Sequence, residues 1–293
     1  MLIREVHEDL IPQVTGFLAQ QREFGNCGNW DGLFRYGWKR SEYPYGYAAL
    51  DGNRVVAFIG TIFSERVIQG KKVVYCNLST WIVDFNYRAM LLGLLLLERI
   101  FKTKDVFISS LTPSESSRDI SEKMGFRLLE HTQITVPMFP AVVPAPNGNG
   151  SLLISFDIRE IRNHLGDEDR AICDDHSGLP CTHFIIKANS GGLYCYGIGT
   201  SSTLRRLRAL GAKWLNLCYL SNVDVFVRNF QSFKEYVWTH GRFLLLRYDS
   251  RLIPYRLSSI QFKTKRARQF KSAAFTSCDI DNLYSELVTF NKY

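Results

Sequence analysis

Short apolar runs punctuated by glycine turns fill the first half of the chain. "YGYAAL", the turn Asp51-Gly52-Asn53 and "RVVAFIGTIFSERVI" predict strand, tight turn and strand. After a second turn, "QGKK", the stretch "VVYCNLSTWIVDF" predicts a third strand, rich in β-branched and aromatic residues. The period then changes. "NYRAMLLGLLLLERIF" (86–101) predicts a helix of about 14 residues, and "DVFISSL" a short buried strand. A helix over 114–124 closed by Gly125 and the strand "FRLLEHTQITV" follow, and a helix over 10–21 precedes the whole. The order is antiparallel strands, helix, strand, helix, strand.

"VPMFPAVVPAPNGNG" (136–150) holds four prolines and two glycines among small residues, which excludes a regular helix and confines any strand to an edge. It predicts a boundary: a first domain over 1–136, a Pro/Gly-rich linker over 137–150 and a second domain over 151–293. In the second half "HFIIKA" and "GLYCYGIGT" predict a hairpin across "NSGG". "KWLNLCYL" is a strand, "VDVFVRNFQSFKEYVWTH" a helix ended by Gly241, and "RFLLLRYD" a strand. Hairpin, strand, helix, strand repeats the order of the first half, as an internal duplication of fold would.

Composition narrows the class. Hydrophobic residues make 46% and charged residues 22% of the 293, the balance of a globular protein with a real core. "MLIREVHEDLIPQV" carries Glu5, Glu8 and Asp9 where a secretion signal is apolar, and the run 89–97 is too short to span a membrane. Seven cysteines without regular spacing fit reduced thiols, so a cytoplasmic protein is expected. The net charge of +8 and pI of about 9.1 permit phosphates, nucleic acid or acidic partners without selecting one.

The chemistry centres on 86–101. A strand that runs straight into a helix leaves the helix's first N–H groups unpaired, and with the helix dipole they can hold a phosphate. Here "STWIVDF" leads through Asn86-Tyr87 to Arg88. The layout "VDFNYRAMLLGLL" resembles the acetyl-CoA-binding motif of the GNAT (Gcn5-related) N-acyltransferases, with Val83, Arg88 and Gly93 at matching positions. "SSLTPSESSRDISEKMGFRLLE" (109–130) resembles the strand–helix–"GF" segment that follows in that family, with Gly125-Phe126 as the turn. The resemblance covers about residues 1–136 well, the second half only in outline, and is similar to members built as tandem domains.

The resemblance implies an α/β (α+β) protein of two GNAT-like domains, each a mixed, mostly antiparallel sheet flanked by helices, with the C-terminal domain degenerate. It implies acetyl-CoA or another acyl-CoA as donor, held where strands 77–84 and 105–111 splay apart. Pantetheine would pair with Ile82, Val83 and Asp84, and the pyrophosphate would rest on Arg88, Ala89, Met90, Leu91, Leu92 and Gly93, with Ser114 at a further cofactor contact. Three departures stand out. Leu91 replaces the first motif glycine, Asn77 stands where many members have a Glu base, and Ser121 where many have a Tyr acid. Asn77 and Ser121 are thus the catalytic positions on family grounds, though neither side chain is a useful base or acid. Glu65, Tyr75, Asp84 and His131 are substitute bases, Glu65 first among them. The implied activity is acyl transfer to a small-molecule or peptide amine. Alternatives are a GNAT-shaped binding or regulatory protein, or an acyltransferase served by an acyl carrier protein. A homodimer face on the second domain also fits. Asp224 in the first turn of the second half's helix would repel an anion, so one coenzyme site per chain is expected.

"CDDHSGLPCTH" (173–183) groups Cys173, His176, Cys181 and His183, but the spacing matches no common zinc knuckle, and no metal is expected. "FKTKRARQFK" (262–271) with Arg205, Arg206 and Arg208 makes the second half locally basic, open to a phosphate, an acidic carrier protein or nucleic acid; a solvated face is the first reading, and no nucleic-acid motif accompanies it.

Overall fold

The computed structural model describes the chain except residues 22–29, 69, 104, 140–151, 189–191, 204–212 and 291–293. It divides into two compact units. Of the described residues, unit 1 comprises those of Met1–Leu129, Ala267–Ile280 and Tyr284–Phe290; unit 2 comprises those of Glu130–Arg266 and Asp281–Leu283. Most of the expected linker, and Arg205, Arg206 and Arg208, lie outside the described residues.

Unit 1 opens with β1 (Leu2–Glu5), α1 (Ile11–Ala19) and the one-turn α2 (Asp31–Phe34). Next come β2 (Gly46–Asp51), β3 (Arg54–Ile68) and β4 (Lys71–Val83), a meander in which Asp51 pairs with Arg54 across a tight turn. After β4 a 3-10 turn (Phe85–Met90) leads to α3 (Leu92–Phe101), then β5 (Val106–Ser110), α4 (Glu115–Lys123) and β6 (Arg127–Pro137). β5 lies parallel to β4, the crossover through α3 allowing it, while the other pairings of the unit are antiparallel. α3 buries Leu92, Leu96, Leu97 and Ile100 against Cys76, Leu78 and Ile108, a helical stripe on one face of the sheet. At about 25 cal/mol per Å2 of apolar surface, each such leucine is worth roughly 2 kcal/mol.

Unit 2 contains β7 (Leu152–Ser155), α5 (Ile158–Arg162), α6 (Asp167–His176), β8 (Cys181–Ala188), β9 (Tyr194–Thr203) and β10 (Lys213–Leu220). α7 (Val223–Arg228), α8 (Phe230–Thr239) and β11 (Leu245–Asp249) complete the pattern, with β11 parallel to β10. Antiparallel strands, then a parallel pair joined through helices, thus occur in both units, each a mostly antiparallel sheet with helices. The helix expected over 223–240 is interrupted at Asn229. The core gathers Phe184, Phe226, Phe230 and Phe233 with Leu215, Leu217 and Leu246.

The chain's last part departs from the sequence reading. "FKTKRARQFK" is not a solvated face but β12 (Phe262–Lys271). Its first residues are exposed, while Arg268, Gln269 and Phe270 are buried, and Gln269, Phe270 and Lys271 pair with β5 in unit 1. In unit 2 the strand beside β11 is β6. Each unit therefore takes one strand from the opposite half of the sequence, a topology that local periodicity cannot reveal. The chain then returns to unit 1 with Tyr284–Phe290, including α9 (Glu286–Thr289), whose residues are all buried. α2 receives it. A Cβ on Gly32 would stand 2.2 Å from the Thr289 carbonyl oxygen, and Trp30 meets Phe290 edge-on at 6.2 Å.

Gly32→Ala tests that contact. We expect a loss of about 2 kcal/mol of stability, typical of overpacking, with faster amide hydrogen exchange across 285–289. Unchanged exchange there would show that the segment is held by other means.

Candidate active site

The site is built on unequal strand lengths. β5 pairs with β4 only over 74–78, Leu78 against Ser110 being the last pair. β4 runs on to Val83 along β3, so the other edge of residues 79–83 has no strand partner among the described residues. Register against β3 slips at this point, Gly60 facing Ser79 and Phe58 facing Ile82, and Thr80 holds a left-handed φ of 51°. A β-branched residue is strained there, and such bulges bend a strand and end its pairing. The result is a fork with open backbone N–H and C=O groups on one prong. It contains Ile82 and Val83 and leads to Asp84, so these three expected cofactor residues lie together.

The helix at the end of the prong is not as expected. Arg88, Ala89 and Met90 lie in the 3-10 turn, and α3 starts only at Leu92. Between them Leu91 adopts φ 56°, ψ 23°, the left-handed conformation glycine favours. The motif position that carries a leucine here thus has glycine backbone geometry, not the helical one that would suit a leucine. Leu91 is 62% exposed, beside exposed Phe85 and Met90. Gly93 has a packing role: an added Cβ would stand 2.8 Å from Nε1 of Trp81. Arg88 is exposed at this turn, its Nε 3.4 Å from the Val83 carbonyl, which it approaches as a donor. Asp84 accepts from Arg54 at 2.6 Å and from the Asn86 amide at 3.0 Å, capping the 3-10 turn. Ser114 caps α4, accepting from the Ser117 amide at 3.2 Å.

The expected catalytic positions are occupied by structural hydrogen bonds. Asn77 is fully buried. Its Nδ2 donates to Ser109 Oγ at 3.0 Å, and its Oδ1 accepts the Glu286 amide at 3.0 Å. Tyr75 meets the same Ser109 hydroxyl at 2.6 Å. Ser121 is buried with its hydroxyl 2.6 Å from Gln269 Oε1 and 2.8 Å from the Ser117 carbonyl, facing β12. Glu65 pairs with Arg40 at 2.9 Å and sits across from Val74, five residues back from Ser79. At about 3.3 Å per residue that is roughly 16 Å from the fork. His131 is exposed and belongs to unit 2. Sequence reasoning missed the carboxylate of Glu286, buried in unit 1, whose Oε1 accepts from the Thr112 hydroxyl at 2.9 Å just beyond β5. Only its distance in sequence, 209 residues from Asn77, hid it.

A cavity of about 430 Å3 lies at the other end of the β4–β5 pair, lined by Lys71, Lys72, Phe107, Lys271 and Phe275 among others. In unit 2, Asn222 caps α7 by accepting the Val225 amide at 3.1 Å, with Asp224 in the same turn. Cys173 and His176 lie on α6, Cys181 and His183 on β8. The ring of His176 bonds the Ile172 carbonyl at 2.8 Å, and that of His183 bonds Tyr196 at 2.7 Å. Burial lowers the His183 pKa to about 4. Among the described residues no His, Cys, Asp and Glu converge as metal ligands, and no helix is long and apolar enough to cross a membrane.

Relaxing Leu91 is a direct test of the turn. The left-handed backbone costs a leucine about 1–2 kcal/mol, and glycine's extra chain entropy returns part of that. Leu91→Gly should therefore raise stability by roughly 1 kcal/mol and the unfolding midpoint by ~2 °C. A lower midpoint would refute the left-handed assignment.

No family model matches the sequence, and no curated protein sequence matches it. Solved structures do. A GCN5-related N-acetyltransferase of Anabaena variabilis superposes with a TM-score of 0.59 at 11% identity, over 92% of this chain and 72% of that one. One from Kribbella flavida gives 0.53 at 12%, over 92% and 70%. Eis1 of Mycobacterium abscessus gives 0.52 at 11%, over 92% and 73%. Identities this low speak to architecture alone, and the architecture is that of the GCN5-related N-acetyltransferases.

Proposed function

We propose that this chain is an N-acyltransferase that takes an acyl group from acyl-CoA at the fork of unit 1 and delivers it to an amine. The observation that carries the reading is the fork itself, an unpaired strand edge at 79–83 that ends beside the first turn of α3. Amide groups of a pantetheine arm can continue the sheet along that edge. The pyrophosphate would meet the free N–H groups at the start of α3 and the Arg88 guanidinium. Acetyl-CoA is the simplest donor; an acyl carrier protein presents the same arm. Holding amine and thioester together supplies much of the rate, since direct attack depends chiefly on proximity. The second helix junction is capped from within by Asn222, so one coenzyme per chain is the reading for unit 2 as well.

A binding protein without turnover is the second reading. It draws support from Asn77 and Ser121, whose polar atoms are tied up in the fold. Calorimetric titration with acetyl-CoA separates these from a protein that ignores the coenzyme. One site per chain is expected, weakened at least 10-fold by Arg88→Glu with the melting temperature unchanged. No binding, or equal binding by the variant, would remove the proposal.

A further inference from the structure

Acyl transfer to an amine needs a group that takes the nitrogen's proton as the N–C bond forms. The acidic residues along β3 and β4 are poorly placed for this. Glu65 lies toward the far end of β4, across from Val74, and Asp84 lies past the prong, where it caps the 3-10 turn. Of the buried carboxylates among the described residues, Glu286 is the one in unit 1; Glu130, Asp169 and Asp249 belong to unit 2. It is brought to the fork by the C-terminal segment. Its amide is fixed on Asn77, which pairs with Ser109 one step before the last β4–β5 pair. Its Oε1 accepts the hydroxyl of Thr112, two residues beyond the end of β5, at 2.9 Å. Glu286 is 1% exposed, whereas Thr112 is half-buried. Thr112 is therefore the more accessible residue of a hydrogen-bonded pair whose other member is a buried carboxylate.

Resting on the acyltransferase reading, we infer that Glu286 accepts the acceptor amine's proton through Thr112. As the amine lone pair attacks the thioester carbonyl, its N–H proton passes to Thr112 Oγ1 while the threonine's own proton moves to Glu286 Oε1. The tetrahedral intermediate collapses with cleavage of the C–S bond. The thiolate takes a proton from water, and Glu286 returns its proton to solvent by the same route, leaving amide and free thiol. Asn77 is then a positioning residue: it holds the Glu286 backbone so that the carboxylate meets Thr112.

The test uses the full chain and three variants. Glu286→Gln keeps an oxygen that accepts from Thr112, Thr112→Val removes the relay hydroxyl, and Thr112→Ser restores it. Acetyl-CoA binding is read by calorimetry, and turnover by thiol release with glycinamide, spermidine and hydroxylamine as nucleophiles. We expect all three to bind acetyl-CoA within about threefold of the parent. Turnover should fall roughly 100-fold or more in Glu286→Gln and Thr112→Val through kcat, the usual scale of a positioned base, and return in Thr112→Ser. Turnover within fivefold of the parent in either of the first two overturns the relay. Absence of any thiol release from a parent that binds acetyl-CoA overturns instead the acyltransferase reading, in favour of a binding protein. Failure of the parent to bind acetyl-CoA overturns instead the reading on which the relay rests.

Discussion

Three pieces of unit 1 meet at the carboxamide of Asn77. Its amide end reaches across the last ladder steps to Ser109 on β5, and its carbonyl end holds the Glu286 amide. In a fully buried setting each of these bonds is costly to leave unmade, since an orphaned polar group forfeits about 1–3 kcal/mol. An aspartate could not donate to Ser109, and an apolar side chain could do neither job. The amide is the one common side-chain chemistry of this length that donates on one side and accepts on the other. The same residue that denies β4 a base thereby brings a carboxylate to it from the far end of the chain.

Beyond this point β4 continues and β5 does not. Of the four left-handed non-glycine residues among those described, Thr80 lies on the prong, Leu91 at the helix entry and Tyr284 at the start of the returning segment; the fourth, Asp105, precedes β5 at its other end. Strain of this kind persists only where the surroundings over-determine it, and it gathers at functional places. Thr80 turns the strand out of register with β3, and Leu91 ends the 3-10 turn so that α3 can start with Leu92 buried. Trp81 lies against Gly93 between them. The fork and the helix entry are thus fastened together by packing, before any ligand is considered.

Much of this was legible from local pattern. Alternation gave β2, β3 and β4, helical period gave the stripe Leu92, Leu96, Leu97 and Ile100, and Gly125 closed α4 with φ 86° as a C-cap glycine does. The family motif pointed to the junction of β4 and α3, Val83 to Gly93. It misjudged the start of the helix, because a left-handed Leu91 has no signature in a leucine-rich run. β12 was hidden for a related reason. Its basic residues alternate with small or apolar ones, and which end is buried depends on a partner, β5, more than 150 residues away. The Glu286–Thr112 contact spans 174 residues and lies wholly outside what periodicity can report.

The account stands on the fork as a coenzyme cradle, and hydrogen exchange with and without coenzyme A reads that location directly. Bound coenzyme should slow exchange at 79–84 and at 88–95, the open prong and the helix entry, and leave 213–228 in unit 2 unchanged. Protection that instead appears around 71–73 and 105–108, at the opposite end of the β4–β5 pair, or in unit 2 alone, would contradict it.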